Sequence, residues 1–206
     1  MTLLFAIGFV LLHAVGILFL PKHAIGASYA FLVIAPLLAA GAALYRARKV
    51  GFAPSHGWSL AALGLLLWTL GMVSSMLGDI FLNNSNTAPG EIMLLYVLYG
   101  VPIFYAVAIL GIENDSRTQR IIDAVLAISL GYLYYALMFS WTTLRGDNSP
   151  QSTSMIAMMF DVENTFLAIT TTVRFLASNT LKEQYFFGVM ATFTCLYGIV
   201  AAYYNH

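Results

Sequence analysis

Side chains able to bind or move a ligand are sparse in this chain of 206 residues: nine Asp and Glu, nine Lys and Arg, four His and one Cys. Most stand in short polar stretches, but His13, Asp79, Asp161, Glu163 and Asn164 interrupt apolar runs. A charged group at the centre of a bilayer costs about 2.5–3.5 kcal/mol on insertion scales, so residues of this kind tend to mark a site or a pathway. Asp161 and Asn164 are three apart, which puts them on one face of a helix. Asp161 and Glu163 are two apart, roughly 200° around the axis. The Asp161/Asn164 face is therefore expected to line a polar, ligand-binding pocket together with His13 and Asp79, with Glu163 turned away. Two plainer readings stand beside that one: wetting of these groups by the membrane interface, and a hydrogen bond between helices.

Other chemistry finds less support. No two histidines have the i, i+4 spacing of a helical zinc site, so no metal site is expected. His13 alone reads more readily as a packing residue, and His23, His56 and His206 fall in loops or at the terminus. The last apolar run has no central lysine for a Schiff base, and no serine stands in a nucleophile elbow, so no catalytic residue is assigned. The cofactor, if there is one, is not specified by any motif. Cys195 lies in an apolar run and reads as a small buried residue. Thr170, Thr171 and Thr172 are expected to bond the preceding turn or a neighbouring helix. Arg120 and Asp123 open one apolar run and Arg174 closes another. A structural ion pair of Asp123 with Arg120 or Arg174 is expected, against the alternative that the arginines are snorkelling anchors.

The elements that must position these groups follow from composition. The chain is 60% hydrophobic and only 9% charged, whereas a soluble domain carries about a quarter charged residues. The net charge of zero offers no basic face for a nucleic acid. Spanning the hydrocarbon takes roughly 20 apolar residues as a helix. Seven stretches qualify, at about 2–20, 27–45, 58–82, 92–112, 121–141, 155–176 and 185–204. They are continuous rather than alternating, so the expectation is all-α: one polytopic bundle of about seven transmembrane helices, not a barrel. The first run lacks a basic leader and is taken as a helix rather than a signal peptide. No internal repeat is visible. Gly64, Gly71 and Gly78 recur every seven residues beside Ala61 and Ala62, a stripe expected to pack against a neighbouring helix.

Basic residues set the expected orientation. Arg46, Arg48, Lys49, Arg117, Arg120, Arg174 and Lys182 follow the even-numbered runs, and only Lys22 and Arg145 follow the odd ones. Lys and Arg are retained on the cytoplasmic side. The N-terminus is then expected in the cytoplasm and His206 outside, with Trp58, Tyr45 and Tyr185 at the inner interface. In that orientation His13, Asp79, Asp161, Glu163 and Asn164 all fall in the outer half of the membrane.

Five stretches in order resemble a known module: Leu-Gly-Asp-Ile-Phe-Leu at 77–82, Leu-Leu-Tyr-Val-Leu-Tyr-Gly-Val-Pro at 94–102, Arg120-Ile-Ile-Asp123, Asp161-Val-Glu-Asn164 followed by Val173-Arg174-Phe-Leu-Ala-Ser178, and Gln184-Tyr-Phe-Phe187 running to Tyr204-Asn205-His206. About 130 residues are similar to the multi-helix N-terminal membrane module that precedes GGDEF domains in some bacterial diguanylate cyclases. The resemblance implies signal reception in a bacterial inner membrane, with a cytoplasmic output domain as partner. It supplies no catalytic residues, and no GGDEF motif is present in these 206 residues. The sequence is accordingly expected to be an isolated sensor-type protein or one part of a longer one. Two other functions remain open: an accessory structural subunit of a larger membrane complex, and a small membrane lipid hydrolase of the lysoplasmalogenase kind, for which Gly78-Asp79 alone is thin support.

Overall fold

The computed structural model describes residues 2–19, 24–50, 52–81, 95, 96, 98–109, 125 and 150–205. Among them every regular element is a helix: α1 (Thr2–Phe19), α2 (Ala24–Val50), α3 (Phe52–Phe81), α4 (Gly100–Ile109), α5 (Pro150–Ala177) and α6 (Leu181–Asn205). The expected run at 121–141, and with it Arg120 and Asp123, lies outside the described residues apart from Val125.

Local chemistry explains where these helices turn. Pro54 falls in the first turn of α3, where a missing N–H costs nothing. Arg48 and Lys49 stand in the last turn of α2, where cations meet the negative end of the helix dipole. Thr180 caps α6 by accepting from the Glu183 amide at 3.3 Å. Thr180 and Glu183 have the spacing of a capping box. Ser178 closes the end of α5, its hydroxyl donating to the Arg174 carbonyl at 2.6 Å. The connection from α5 to α6 is thus a tight antiparallel hairpin.

Among the described residues, three helical stretches are long and apolar enough to cross a membrane: Gly26–Val50, His56–Gly78 and Leu181–Tyr203, with mean hydropathy of 2.0, 1.9 and 1.7. This is a helical membrane protein by length and composition. The outer surface agrees. Leu4, Val10, Leu11, Leu12, Leu18 and Phe19 of α1 and Leu196, Ile199 and Val200 of α6 are exposed. Thr69, Glu163, Asn164, Thr170, Thr171, Arg174 and Thr194 are buried. Apolar outside and polar inside suits lipid as the solvent. α5 is not among the three spans. Asp161, Glu163, Asn164 and its threonines lower its hydropathy, and of these Glu163, Asn164, Thr170 and Thr171 turn inward.

The helices pack in chain order, α1 on α2, α2 on α3, α3 on α4, α4 on α5 and α5 on α6, and α6 returns to touch α3. α3, α4, α5 and α6 therefore close a ring, with α2 and then α1 outside it. The α2–α3 pair is the most extensive. Pro36, Ala40, Ala43 and Ala47 form one buried edge of α2, facing a hairpin partner that buries Ala61 and Ala62. Small residues let two backbones approach closely where no hydrophobic effect drives them together.

The expected glycine stripe is real over two of its three positions. A methyl on Gly64 would stand 2.6 Å from the Tyr99 carbonyl oxygen, and one on Gly71 would stand 3.0 Å from the Tyr96 ring. Among the described residues, Gly78 has nothing within 4 Å. Tyr96, Tyr99 and Ile103 thus lie against the middle of α3.

Candidate functional site

The ring of four helices encloses a polar cluster built from one or two residues of each. The buried arc of α5 runs through Phe160, Glu163, Asn164, Leu167, Thr170, Thr171 and Arg174, at helical three- and four-residue steps. Its lower part is a hydrogen-bonded seam. Thr170, Thr171 and Thr172 donate to the Phe166, Leu167 and Ala168 carbonyls at 2.8, 2.6 and 2.7 Å, as expected. Thr171 also meets Thr194 of α6 at 2.9 Å. Cys195 is half-buried, 3.8 Å from the Thr172 hydroxyl.

Glu163 and Asn164 are each only 1% exposed. Asn164 is hydrogen-bonded at both ends: its amide nitrogen donates to the Phe160 carbonyl at 2.9 Å, and its oxygen accepts from the Tyr99 hydroxyl. Among the described residues, neither oxygen of Glu163 has a hydrogen-bond partner. The carboxyl presses on Gly100, where any Cβ would overlap it. It is within electrostatic reach of the Tyr99 and Tyr197 phenols. Trp68 of α3 donates to the Tyr197 hydroxyl at 2.6 Å. Tyr99, Phe160 and Tyr197 are mutual neighbours, with ring centroids 5.6–6.1 Å apart.

The α4 segment is shaped for this approach. Tyr99 is a turn residue between helical Leu98 and Gly100. Pro102 offers no N–H, so it deprives the Leu98 carbonyl of its helical partner. Gly64 on one side and Gly100 on the other leave room for the Tyr99 backbone and for the Glu163 carboxyl. Gly- or Pro-interrupted membrane helices line sites of this kind because their irregular backbone must face protein or a cavity.

The expected residues are therefore only partly brought together. Glu163 and Asn164 share the buried centre, while Asp161 is half-buried at the edge of the same arc. The two acids exchange the ranks expected from spacing alone, because the inward face centres between 163 and 164. The structure also starts α5 at Pro150, five residues before the expected start at 155. Glu163 is thus about 20 Å into the helix, near its middle. His13 lies elsewhere. Its ring stacks on Phe31 of α2 at 4.7 Å and 18°, outside the ring of four. Its Nε2 is buried without a hydrogen bond. Asp79 lies in the last turn of α3, and its side chain is outside the described residues. A single pocket uniting His13 with Asn164 is not formed by the described contacts. Arg174, expected at the inner interface, is 5% exposed and donates to the Ala108 carbonyl at 3.4 Å. It caps the end of α4 rather than snorkelling.

Tyr99, Gly100, Trp68 and Tyr197 were not singled out by residue chemistry. The available signal was Gly100-Val-Pro102, a helix-weakening pair inside an apolar run. No protein family, curated protein or solved structure matches this chain.

Proposed function

We propose that the chain is a membrane-embedded sensory or regulatory module that takes up a small monovalent cation at the Glu163 cluster, entering from the outer side. The observation that carries this reading is a carboxyl in the middle of α5 that is only 1% exposed and, among the described residues, makes no hydrogen bond. An unsatisfied buried polar group costs about 1–3 kcal/mol, more if charged. A partner of opposite charge would offset that cost. One carboxyl matches one positive charge. The neighbouring oxygens of Asn164, Tyr99 and Tyr197 are hard donors of the type that alkali ions prefer over soft ligands, and the faces of the surrounding rings favour a cation. Occupancy would bear on Gly100 and the break in α4, and through Arg174 on the far end of that helix.

In this proposal the bundle has about seven spans, resides in a bacterial inner membrane, and keeps its N-terminus in the cytoplasm. Arg46, Arg48 and Lys49 at the end of α2, Arg174 at the end of α5 and Lys182 at the start of α6 gather at one end, which supports that orientation. The output is passed to a cytoplasmic domain, as the resemblance to GGDEF-linked modules implies, or to other membrane subunits. The test is thermal unfolding of the purified chain in NaCl, KCl or NH4Cl against choline chloride at constant ionic strength. One small cation should raise the midpoint saturably, by about 2.7 kcal/mol of stabilisation at 100 times its Kd. Glu163→Gln should abolish the rise and Asp161→Asn should keep it. No rise in any salt, or one that survives Glu163→Gln, contradicts the proposal.

A further inference from the structure

A second site lies where α2 ends and α6 begins. Arg46 and Lys49 are three apart and share a face of α2. The Arg46 guanidinium lies over the Tyr185 ring at 4.6 Å, and the Lys49 ammonium over the Tyr45 ring at 4.7 Å. Tyr185 is also the first turn of a groove of about 470 Å³, lined by Gln184, Tyr185, Gly188, Val189, Thr192 and Phe193. It is a shallow groove, open along its length. Positions 185, 188, 189 and 192 follow one face of α6, so the groove runs about 12 Å along the helix axis. Gly188 lies in its floor, and its lack of a side chain lets the Phe175 ring of α5 approach, which would be 3.1 Å from an added methyl.

The mouth and the groove differ in chemistry. Among the described residues, this end of the two helices carries Arg46, Arg48, Lys49 and Lys182 against Glu183, a positive balance. Tyr185 is exposed, backed at 6.0 Å by the buried Trp58 ring, and tyrosine prefers the depth of lipid headgroups. Beyond that depth the lining is mostly apolar. A positive, aromatic rim leading into an apolar channel that follows a helix fits an anionic amphiphile.

We propose that this is a seat for one anionic phospholipid. Its phosphate diester rests on Arg46 and Lys49, and one acyl chain follows the α6 groove from Tyr185 towards Phe193. Basic residues close to a membrane surface select anionic lipids over zwitterionic ones. The groove adds a fixed position for the chain, which a purely electrostatic attraction lacks. The site is separate from Glu163 and stands whether or not a cation binds there.

Native mass spectrometry of the full purified chain tests it, with dioleoyl phosphatidylglycerol and dioleoyl phosphatidylcholine as paired lipids of identical acyl chains. Phosphatidylglycerol should be retained at a roughly ten- to thirtyfold lower concentration, the expectation for two basic contacts. The double substitution Arg46→Gln and Lys49→Gln should bring it to the phosphatidylcholine level. Val189→Trp, at an exposed lining position that is free to change without disturbing the core, should weaken retention of both lipids. Equal retention of the two lipids by the unaltered chain overturns the proposal. So does a preference that survives the double substitution, or binding that Val189→Trp leaves unchanged.

Discussion

Replacing Gly64 by alanine tests how α3 and α4 meet, because the same substitution elsewhere on the same surface has the opposite expected sign. At Gly64 the added methyl would be 2.6 Å from the Tyr99 carbonyl oxygen and 3.1 Å from Ile103 Cγ1. The first contact is backbone and has no rotamer to escape into, so α4 must shift. Overpacking of a filled interior costs about 1–3 kcal/mol, and the upper end applies here. Alanine returns roughly 1 kcal/mol of helix propensity, for a net loss of about 2 kcal/mol. At about 2–4 °C per kcal/mol for a chain of this size, the unfolding midpoint should fall by about 4–8 °C. Among the described residues nothing lies within 4 Å of a methyl at Gly41 or Gly78, so alanine there should raise the midpoint by a degree or more. Thermal unfolding of the three variants in one detergent is the assay. A Gly64→Ala midpoint at or above that of the unaltered chain, alongside both controls, would refute the close approach at Tyr99 and with it the geometry of the polar cluster.

Other substitutions probe the cluster itself. Gly100→Ala should destabilise by displacing the Glu163 carboxyl, and combining it with Glu163→Ala should recover most of the loss; a coupling below about 0.5 kcal/mol in that double-mutant cycle means the two do not touch. Tyr99→Phe leaves the Asn164 oxygen without its donor and should cost about 1–3 kcal/mol, read as a lower unfolding midpoint. Thr171→Val and Thr194→Val should each cost about 0.6 kcal/mol, typical of interhelical bonds in membranes, and the double variant little more than either alone.

The helices were largely legible in the sequence because lipid imposes a length and a composition that an apolar run records directly. Runs at 2–20, 27–45, 58–82 and 185–204 reappear as α1, α2, α3 and α6, with ends moved by up to six residues where polar residues such as His56, Arg48 and Lys182 extend a helix past its apolar part. The inward face of α5 was less legible. Asp161, Glu163 and Asn164 lie within a 300° sweep, so which of them faces the centre depends on α4 and α6, not on their spacing. His13 fell to α2 for the same reason: depth in the membrane is written in the sequence, but angular position around a bundle is set by neighbours. Tyr99 and Gly100 escaped because their role is to be approached closely, a property of backbone shape that residue chemistry does not announce.

Reaction of Glu163 with carbodiimides is the most direct measurement of the central claim, that a carboxyl buried among the helices is the input site. The account predicts that a hydrophobic carbodiimide modifies the Glu163 peptide in membranes, that a water-soluble carbodiimide does not, and that the stabilising cation protects Glu163 saturably while choline does not. Modification of Glu163 by the water-soluble reagent, or labelling by the hydrophobic one that no small cation reduces, would contradict it.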